Sequence, residues 1–412
     1  MGDGLWRVAA GMTAPPESDR AAPAGSAAAI PERVAALLPQ IAAAADEIEA
    51  ERKLPPALVT ALHEARLYRM LLPRPFKGEE TDPLTFVSAI EAVAKVDAST
   101  AWVLCQNNVA SMVAAFLARE VAEDIFGRDP RAVLAWGPGA GARAVEVEGG
   151  YRATGNFSFA SGGRHATWLG ALSQIVGDDG APRRGEDGAI EMRTLLLPAE
   201  KAPLKDIWDV IGLRGTGSDA YSISDLFVPR AYSVARDDQS ERRYRGVLYA
   251  MSTNSLFSCG FACVALGIAR SLLDALVALA KEKTPRGFKH SLAQSGSVQL
   301  EVGEAEAELR AARMYIMGTL AEVWRAVERS NALTLDQRLA IRIASTHTIQ
   351  RAKSVADWAY HAAGATAIFA SNAFERRFRD INTVAQQVQG RRAHFETYGK
   401  ILFGIETDQL FF

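Results

Sequence analysis

The chain has 412 residues, with 46 Lys and Arg against 48 Asp and Glu, a formal net charge of −2, and hydrophobic and charged fractions of 49% and 23%. That balance is ordinary for a globular protein and lacks the basic excess that phosphate backbones demand, so nucleic acid is not expected as a partner. No apolar run of about 18 residues stands out, which predicts no membrane span, and three cysteines in so long a chain point to a reducing, cytoplasmic setting rather than a disulfide scaffold.

The length predicts two to three domain-sized units. Residues 1–30 are rich in Ala, Pro and Gly without periodicity and read as a flexible tail, with no signal-peptide pattern. From Pro31 the pattern is helical: Val34, Leu37, Leu38, Ile41, Ala45 and Ile48 recur at three-and-four spacing. A second helix follows Pro55-Pro56 and stops before Pro73 and Pro75. A third starts at Asp82-Pro83, a fourth after the cap Asp97-Ala98-Ser99-Thr100, and a short one ends at Gly127. These make an all-α unit over 31–128. Near Asp129 the period changes to two. Val145-Glu146-Val147-Glu148, Gly149-Gly150 and Tyr151-Arg152-Ala153-Thr154 read as a hairpin, with further strands over 168–176, 191–197 and 221–228, giving a β unit over 129–236. Long, Ala-rich helices over 256–280, 298–329 and 336–363, and shorter ones over 375–402, predict a C-terminal bundle within 237–412.

Few motifs carry chemistry alone. Gly137-Pro138-Gly139-Ala140-Gly141-Ala142 precedes a strand pair rather than a helix, which argues against a dinucleotide fold and for a Gly-rich loop that lets a flat ligand approach backbone. His63-Glu64 begins like a zinc-protease motif, but Leu67 stands where the second His would be, and no metal spacing occurs elsewhere. Phe159-Ala160-Ser161-Gly162-Gly163-Arg164-His165 is either a strand end with its turn or a wall for a planar ring, its hydroxyl donating to one ring atom. Gly212-Leu213-Arg214-Gly215-Thr216-Gly217-Ser218 alone is a turn-rich loop, and Arg379-Asp380 alone a solvated charged face.

Taken in order, however, these segments resemble the acyl-CoA dehydrogenase superfamily. Residues 136–142 look like its T-E-P-G-A-G-S segment, 213–218 with 225–229 like its G-x-R-G-T…V-F-V-P stretch, and Arg286-Gly287-Phe288, 363–367 and 377–380 like its C-terminal segments. The resemblance implies an α+β, mainly α fold: an N-terminal helical domain, a central β-barrel-like domain and a C-terminal four-helix bundle. The phrases D-A-S-T-A-W over 97–102, F-x-S-G-x-x-H-A-x-W over 159–168 and A-G-A-x-A-I over 363–368 are more similar to the flavin-dependent, two-component (group D type) monooxygenase branch. The dehydrogenases' base also has no counterpart, since 381–389 hold no carboxylate.

That branch implies an oxygenase component using reduced flavin (FMNH2 or FADH2) and O2, through a C4a-hydroperoxyflavin, on a small organic substrate. Its partner would be a separate flavin reductase, and its state a homo-oligomer, expected as a tetramer. The implied cofactor residues are Trp136, Gly137, Phe159, Ser161 and Gly162, with Arg286, Phe288, Gly364 and Ala365, the arginine reaching a neighbouring subunit's flavin. Trp102, Asn108, Trp136 and His165 would contact substrate, Ser161, Asn108, Asn382 and Gln387 would be catalytic, and no metal is implied. Phenol-hydroxylating members carry His where this chain has Asn382 and Gln387, so His-mediated phenolate formation at those positions is not expected. A thioester-desaturating dehydrogenase and a non-catalytic flavin- or ligand-binding relative are the alternatives.

Overall fold

In the computed structural model, residues 29–177, 179–185 and 188–407 are described. All but the last two residues of the expected tail lie outside them. Five helices come first: α1 (Ile30–Glu51), α2 (Pro56–Glu64), α3 (Pro83–Ala94), α4 (Ala98–Ser111) and the single turn α5 (Arg119–Ala122). Their starts follow capping chemistry. The Asp82 carboxylate accepts from Thr85 N at 3.0 Å and the Asp97 carboxylate from Thr100 N at 2.6 Å, each satisfying a first-turn donor that the helix cannot. Every residue of α4 is buried.

Seven strands follow: β1 (Leu134–Gly137), β2 (Arg143–Val147), β3 (Gly150–Ala160), β4 (Trp168–Val176), β5 (Met192–Pro198), β6 (Asp219–Pro229) and β7 (Ser233–Val234). They form one mixed sheet, ordered β6-β3-β2-β4-β5-β7. The expected hairpin is β2–β3, with Gly149 at φ 76° in its turn. β1 has no counterpart in the sequence reading. It pairs in parallel with the first half of β4, Leu134 opposite Trp168, and β2 pairs in parallel with the second half, Arg143 opposite Gln174. The two are halves of an interrupted strand, and the Gly-rich stretch 137–142 is the jog between them. Gly137 is required there, because a Cβ would sit 1.7 Å from the Ser158 carbonyl oxygen of β3.

The C-terminal helices are α6 (Thr253–Glu282), α7 (Gly296–Ser330), α8 (Leu335–Ala362), α9 (Ala373–Gln386) and α10 (Ala393–Leu402). α8 opens with a capping box, Thr334 with Gln337. Contrary to the expectation of no long apolar run, α6 is long and apolar enough to cross a bilayer by length and composition. In this fold it is the central core helix, packed against α3, α4, α7, α8 and α9. Its small residues permit this: a Cβ on Gly260 would lie 2.3 Å from Cys105 Sγ, and one on Gly267 would lie 2.5 Å from Ala94 Cβ. The three cysteines are buried and free, and burial pushes their thiol pKa values up.

Candidate active site

A cavity of about 940 Å³ opens where the sheet, α4, α6 and α9 meet. Its inner wall is aromatic. Trp102 on α4 stacks on Phe261 at 3.8 Å between ring centroids, Phe261 on Phe257 at 5.7 Å, and the Trp136 edge meets Phe257 at 6.3 Å. Phe257 and Phe261, four apart on α6, point to one side. Trp136 is delivered by β1, whose early end at the jog leaves its ring facing inward. Toward the mouth, Phe159 (φ 61°) meets Trp208 edge-on. Asn382, Gln386 and Gln387 contribute the polar side from α9 and the turn after it.

A chain of hydroxyls runs inward from this wall. Ser161 Oγ lies 2.7 Å from Ser218 Oγ, which lies 2.7 Å from Thr216 Oγ1, which donates to the Leu213 carbonyl at 2.9 Å. A carbonyl only accepts, so the Thr216 proton is committed to it. Ser218 must then donate to Thr216, and Ser161 to Ser218. Trp102 Nε1 donates to Ser161 Oγ at 3.1 Å. What Ser161 turns toward the cavity is therefore a lone pair. The expectation that its hydroxyl donates to a ligand is corrected by this polarity.

The inner end of the chain is clamped. Leu213 has φ 52°, a left-handed conformation that a leucine adopts only when held. Its carbonyl also accepts from Trp208 Nε1 at 3.0 Å, and its N–H donates to the buried Asp380 carboxyl at 2.6 Å. Burial pushes the Asp380 pKa up to about 7, helped by the like charges of Asp97 and Glu49 and opposed by the Leu213 N–H and Arg379. Two further cavity residues have unpaired polar atoms. Thr194 Oγ1 is buried without a hydrogen-bond partner, and so is Arg236 Nε, whose guanidinium lies 4.7 Å over the Trp136 ring. Burial lowers the Arg236 pKa. No carboxylate and no histidine lines the cavity among the described residues.

The family models for the acyl-CoA dehydrogenase N-terminal and C-terminal domains match residues 29–126 and 259–390. An indole-3-acetate monooxygenase of Pseudomonas putida is 30% identical over 363 residues, 87% of this chain and 89% of that protein. The chain belongs to the acyl-CoA dehydrogenase superfamily. Its relatives place it in the flavin-dependent monooxygenase branch: the oxygenase subunit HsaA of a Rhodococcus jostii flavin-dependent monooxygenase is 28% identical, with 82% of this chain and 88% of that one covered. Among solved structures, 3-HSA hydroxylase from Rhodococcus sp. RHA1 superimposes with a TM-score of 0.86 at 25% identity, covering 93% of this chain and 99% of that one. XiaF from Streptomyces sp., in complex with FADH2 and glycerol, gives 0.84 at 26%, covering 92% and 95%. This acyl-CoA dehydrogenase-fold protein is an oxygenase component of that branch.

Of the residues expected at its site, Trp102, Trp136, Gly137, Phe159, Ser161, Asn382 and Gln387 line the cavity. Gly162 lies just behind it at φ 74°, where a Cβ would meet the Asn107 amide oxygen at 2.4 Å. Asn108 does not face the cavity. Its amide is spent on the backbone of Leu67, Leu71 and Leu104, so its assignment as a catalytic and substrate contact is corrected. Asn107, one residue earlier, instead donates to the Ser161 carbonyl at 3.3 Å and braces the site from behind. His165 also lies off the cavity wall. Its Nε2 is 3.1 Å from Tyr68 Oη, and burial beside His63 pushes its pKa down to about 3, so it neither meets a substrate nor titrates near neutrality. Arg286 and Phe288 stand exposed after α6, away from this chain's own cavity. Gly364 and Ala365 adjoin that turn, where Lys283 Nζ binds Ala363 O and Thr366 Oγ1.

Sequence reasoning missed Thr194, Arg236, Ser218, Thr216, Phe257 and Phe261. Thr216 and Ser218 stood in a segment read as a loop, Thr194 in a strand without a motif, and the two phenylalanines have the same helical spacing as core residues.

Proposed function

We propose that this cavity holds a reduced flavin and a small aromatic substrate together, and that the protein works as a homo-oligomer, a tetramer, in the cytoplasm with a separate flavin reductase. The residues fit a flat, polar-edged cofactor. The aromatic wall and the small residues Gly137 and Gly170 leave room for a ring system, and Ser161 offers a polar atom at its edge. Trp136, Gly137, Phe159 and Ser161 would hold the flavin, and Arg286, Phe288, Gly364 and Ala365 would reach the flavin of a neighbouring copy. When bound, reduced flavin supplies the electrons that activate O2. The chain's own part is to bind and orient, to exclude water through Trp102, Trp136, Phe257 and Phe261, and to offer an acceptor at Ser161. Exposed Leu300 and Met314 on α7, with Leu402 and Phe403 at the end of α10, support burial against further copies.

The observation that carries this reading is a water-excluding aromatic cavity with a fixed acceptor hydroxyl and, among the described residues, neither a carboxylate to take a thioester's α-proton nor a histidine. In the test, the purified protein is given chemically reduced FMN or FAD, then oxygenated buffer and an aromatic substrate such as indole. Slower hydrogen peroxide release than from free flavin, with oxygenated product, is expected. Peroxide release at the free-flavin rate, or tightly held oxidised FAD that an acyl-CoA reduces, would refute it.

Gln387 lines the cavity while its Oε1 accepts from Gln389 N at 2.7 Å. Gln387→His should bring a base titrating near pH 6.5 against the substrate, so oxygenation of phenols should rise several-fold and gain that pH dependence. An unchanged rate and pH profile would place Gln387 outside substrate reach.

A further inference from the structure

The corner of the cavity behind Trp136 holds two hydrogen-bond donors, Thr194 Oγ1 and Arg236 Nε, with no acceptor among the described residues. Thr194, on β5, is 1% exposed, and its hydroxyl has no partner. It pairs across the sheet with Val234 of β7, two residues before Arg236, so both side chains come from the same end of that ladder. Arg236 has no ion pair among the described residues. Asp237 beside it binds the Thr253 N–H and hydroxyl instead. The other cavity arginines differ: Arg379 pairs with Glu375 and Glu49, and Arg391 stands in solvent. A guanidinium kept in an apolar cavity loses hydration that the Trp136 face offsets only in part, and an anion is what completes it.

We propose that Arg236 and Thr194 form a carboxylate-binding corner and that the substrate is a small aromatic carboxylic acid. A carboxylate matches the pair, one oxygen accepting from the guanidinium and the other from the guanidinium or the threonine hydroxyl. From that corner the wall of Trp136, Phe257, Phe261 and Trp102 runs without a break to Ser161. An acid anchored at Arg236 would thus lay its ring along the wall, with its far edge toward the hydroxyl chain where the flavin's reactive edge is assigned. The identity of the reaction rests on the monooxygenase reading, but recognition of the acid does not.

The test is equilibrium binding. Wild-type protein, flavin-free and anaerobically loaded with reduced FMN, is titrated calorimetrically with phenylacetate and 1-naphthylacetate and with the corresponding neutral amides. At least one acid should bind roughly 10-fold or more tighter than its amide. Arg236→Met should weaken the acid by roughly 10- to 100-fold while leaving the amide unchanged, Arg236→Lys should restore part of the loss, and Thr194→Val should show a smaller loss in the same direction. Wild type that binds neither acid, or binds acids and amides alike in both forms, overturns the proposal. So does an Arg236→Met variant that keeps the preference, or one that loses affinity for FMN but not for riboflavin, which would assign the cation to the flavin phosphate. Should Arg236→Met fail to fold, Thr194→Val alone decides, and an unchanged acid preference there overturns the corner. Acid preference without product formation would sink the oxygenase reading and leave the corner standing.

Discussion

Replacing Ser161 with alanine is expected to lower the protein's preference for reduced over oxidised flavin by roughly 10- to 100-fold, the value of one buried charge-free donor–acceptor match gained in one redox state and lost in the other. Oxidised flavin presents an acceptor at N5, and reduced flavin presents an N–H there. The hydroxyl chain Trp102–Ser161–Ser218–Thr216 ends on the Leu213 carbonyl, so Ser161 has only a lone pair to offer. An acceptor favours the reduced form. The alanine variant should also release more hydrogen peroxide per O2 consumed, because Trp102 Nε1 loses its partner and the wall loosens. Anaerobic titration with both redox states of FMN measures the first effect, and the ratio of product to peroxide the second. Ser218→Ala separates polarity from mere contact. It leaves Ser161 in place but frees its proton to point into the cavity, so this variant should bind oxidised FMN more tightly than wild type does. Equal preference in all three proteins would mean that Ser161 does not meet the flavin edge.

Asp380→Asn is expected to stabilise the protein above neutral pH by up to roughly 4 kcal/mol and to do almost nothing near pH 4. The Asp380 pKa is raised from 3.8 to about 7 in the fold, chiefly by burial. A raised carboxyl pKa means that the folded state holds the proton more tightly than the unfolded one. Its stabilising contribution is therefore complete below about pH 4 and is lost as pH climbs through 7. Asparagine cannot ionise, yet its Oδ1 can still accept the Leu213 N–H that Asp380 now holds at 2.6 Å. Urea denaturation of both proteins at intervals from pH 4.5 to 8.5 should give curves that diverge with rising pH. Parallel curves would mean that Asp380 ionises in the ordinary carboxylate range. The same variant should leave flavin preference untouched, since the Leu213 clamp survives.

The helices and the hairpin were legible because their signals are local. Asp82 and Asp97 cap helices through residues three positions away, and Gly149 turns a chain that alternates on both sides. β1 was not, because four residues of Leu-Ala-Trp-Gly become a strand only by pairing with Trp168 and its successors, more than thirty positions later. At the site, the motif residues Trp136, Phe159 and Ser161 were legible by resemblance. Choosing between Asn107 and Asn108 was not, since adjacent helical positions differ by about 100° of rotation and the whole of α4 is buried. Thr194 and Arg236 carry no motif. They matter as a pair only because β5 and the segment after β7 bring them to one corner, and because Thr194 Oγ1 and Arg236 Nε find no partner among the described residues.

The central position of α6 bears on how ligands come and go. It touches α3 and α4 from the N-terminal helices and α7, α8 and α9 from the C-terminal ones, so the two helical layers share one axle, an arrangement that opposes a hinge between them. Traffic through the cavity must then be a matter of doors rather than jaws. Phe159 and Ile211 line the cavity and are exposed, so local motion at this rim, rather than slow rotation of whole layers, would set the pace at which reduced flavin is admitted and spent flavin let go.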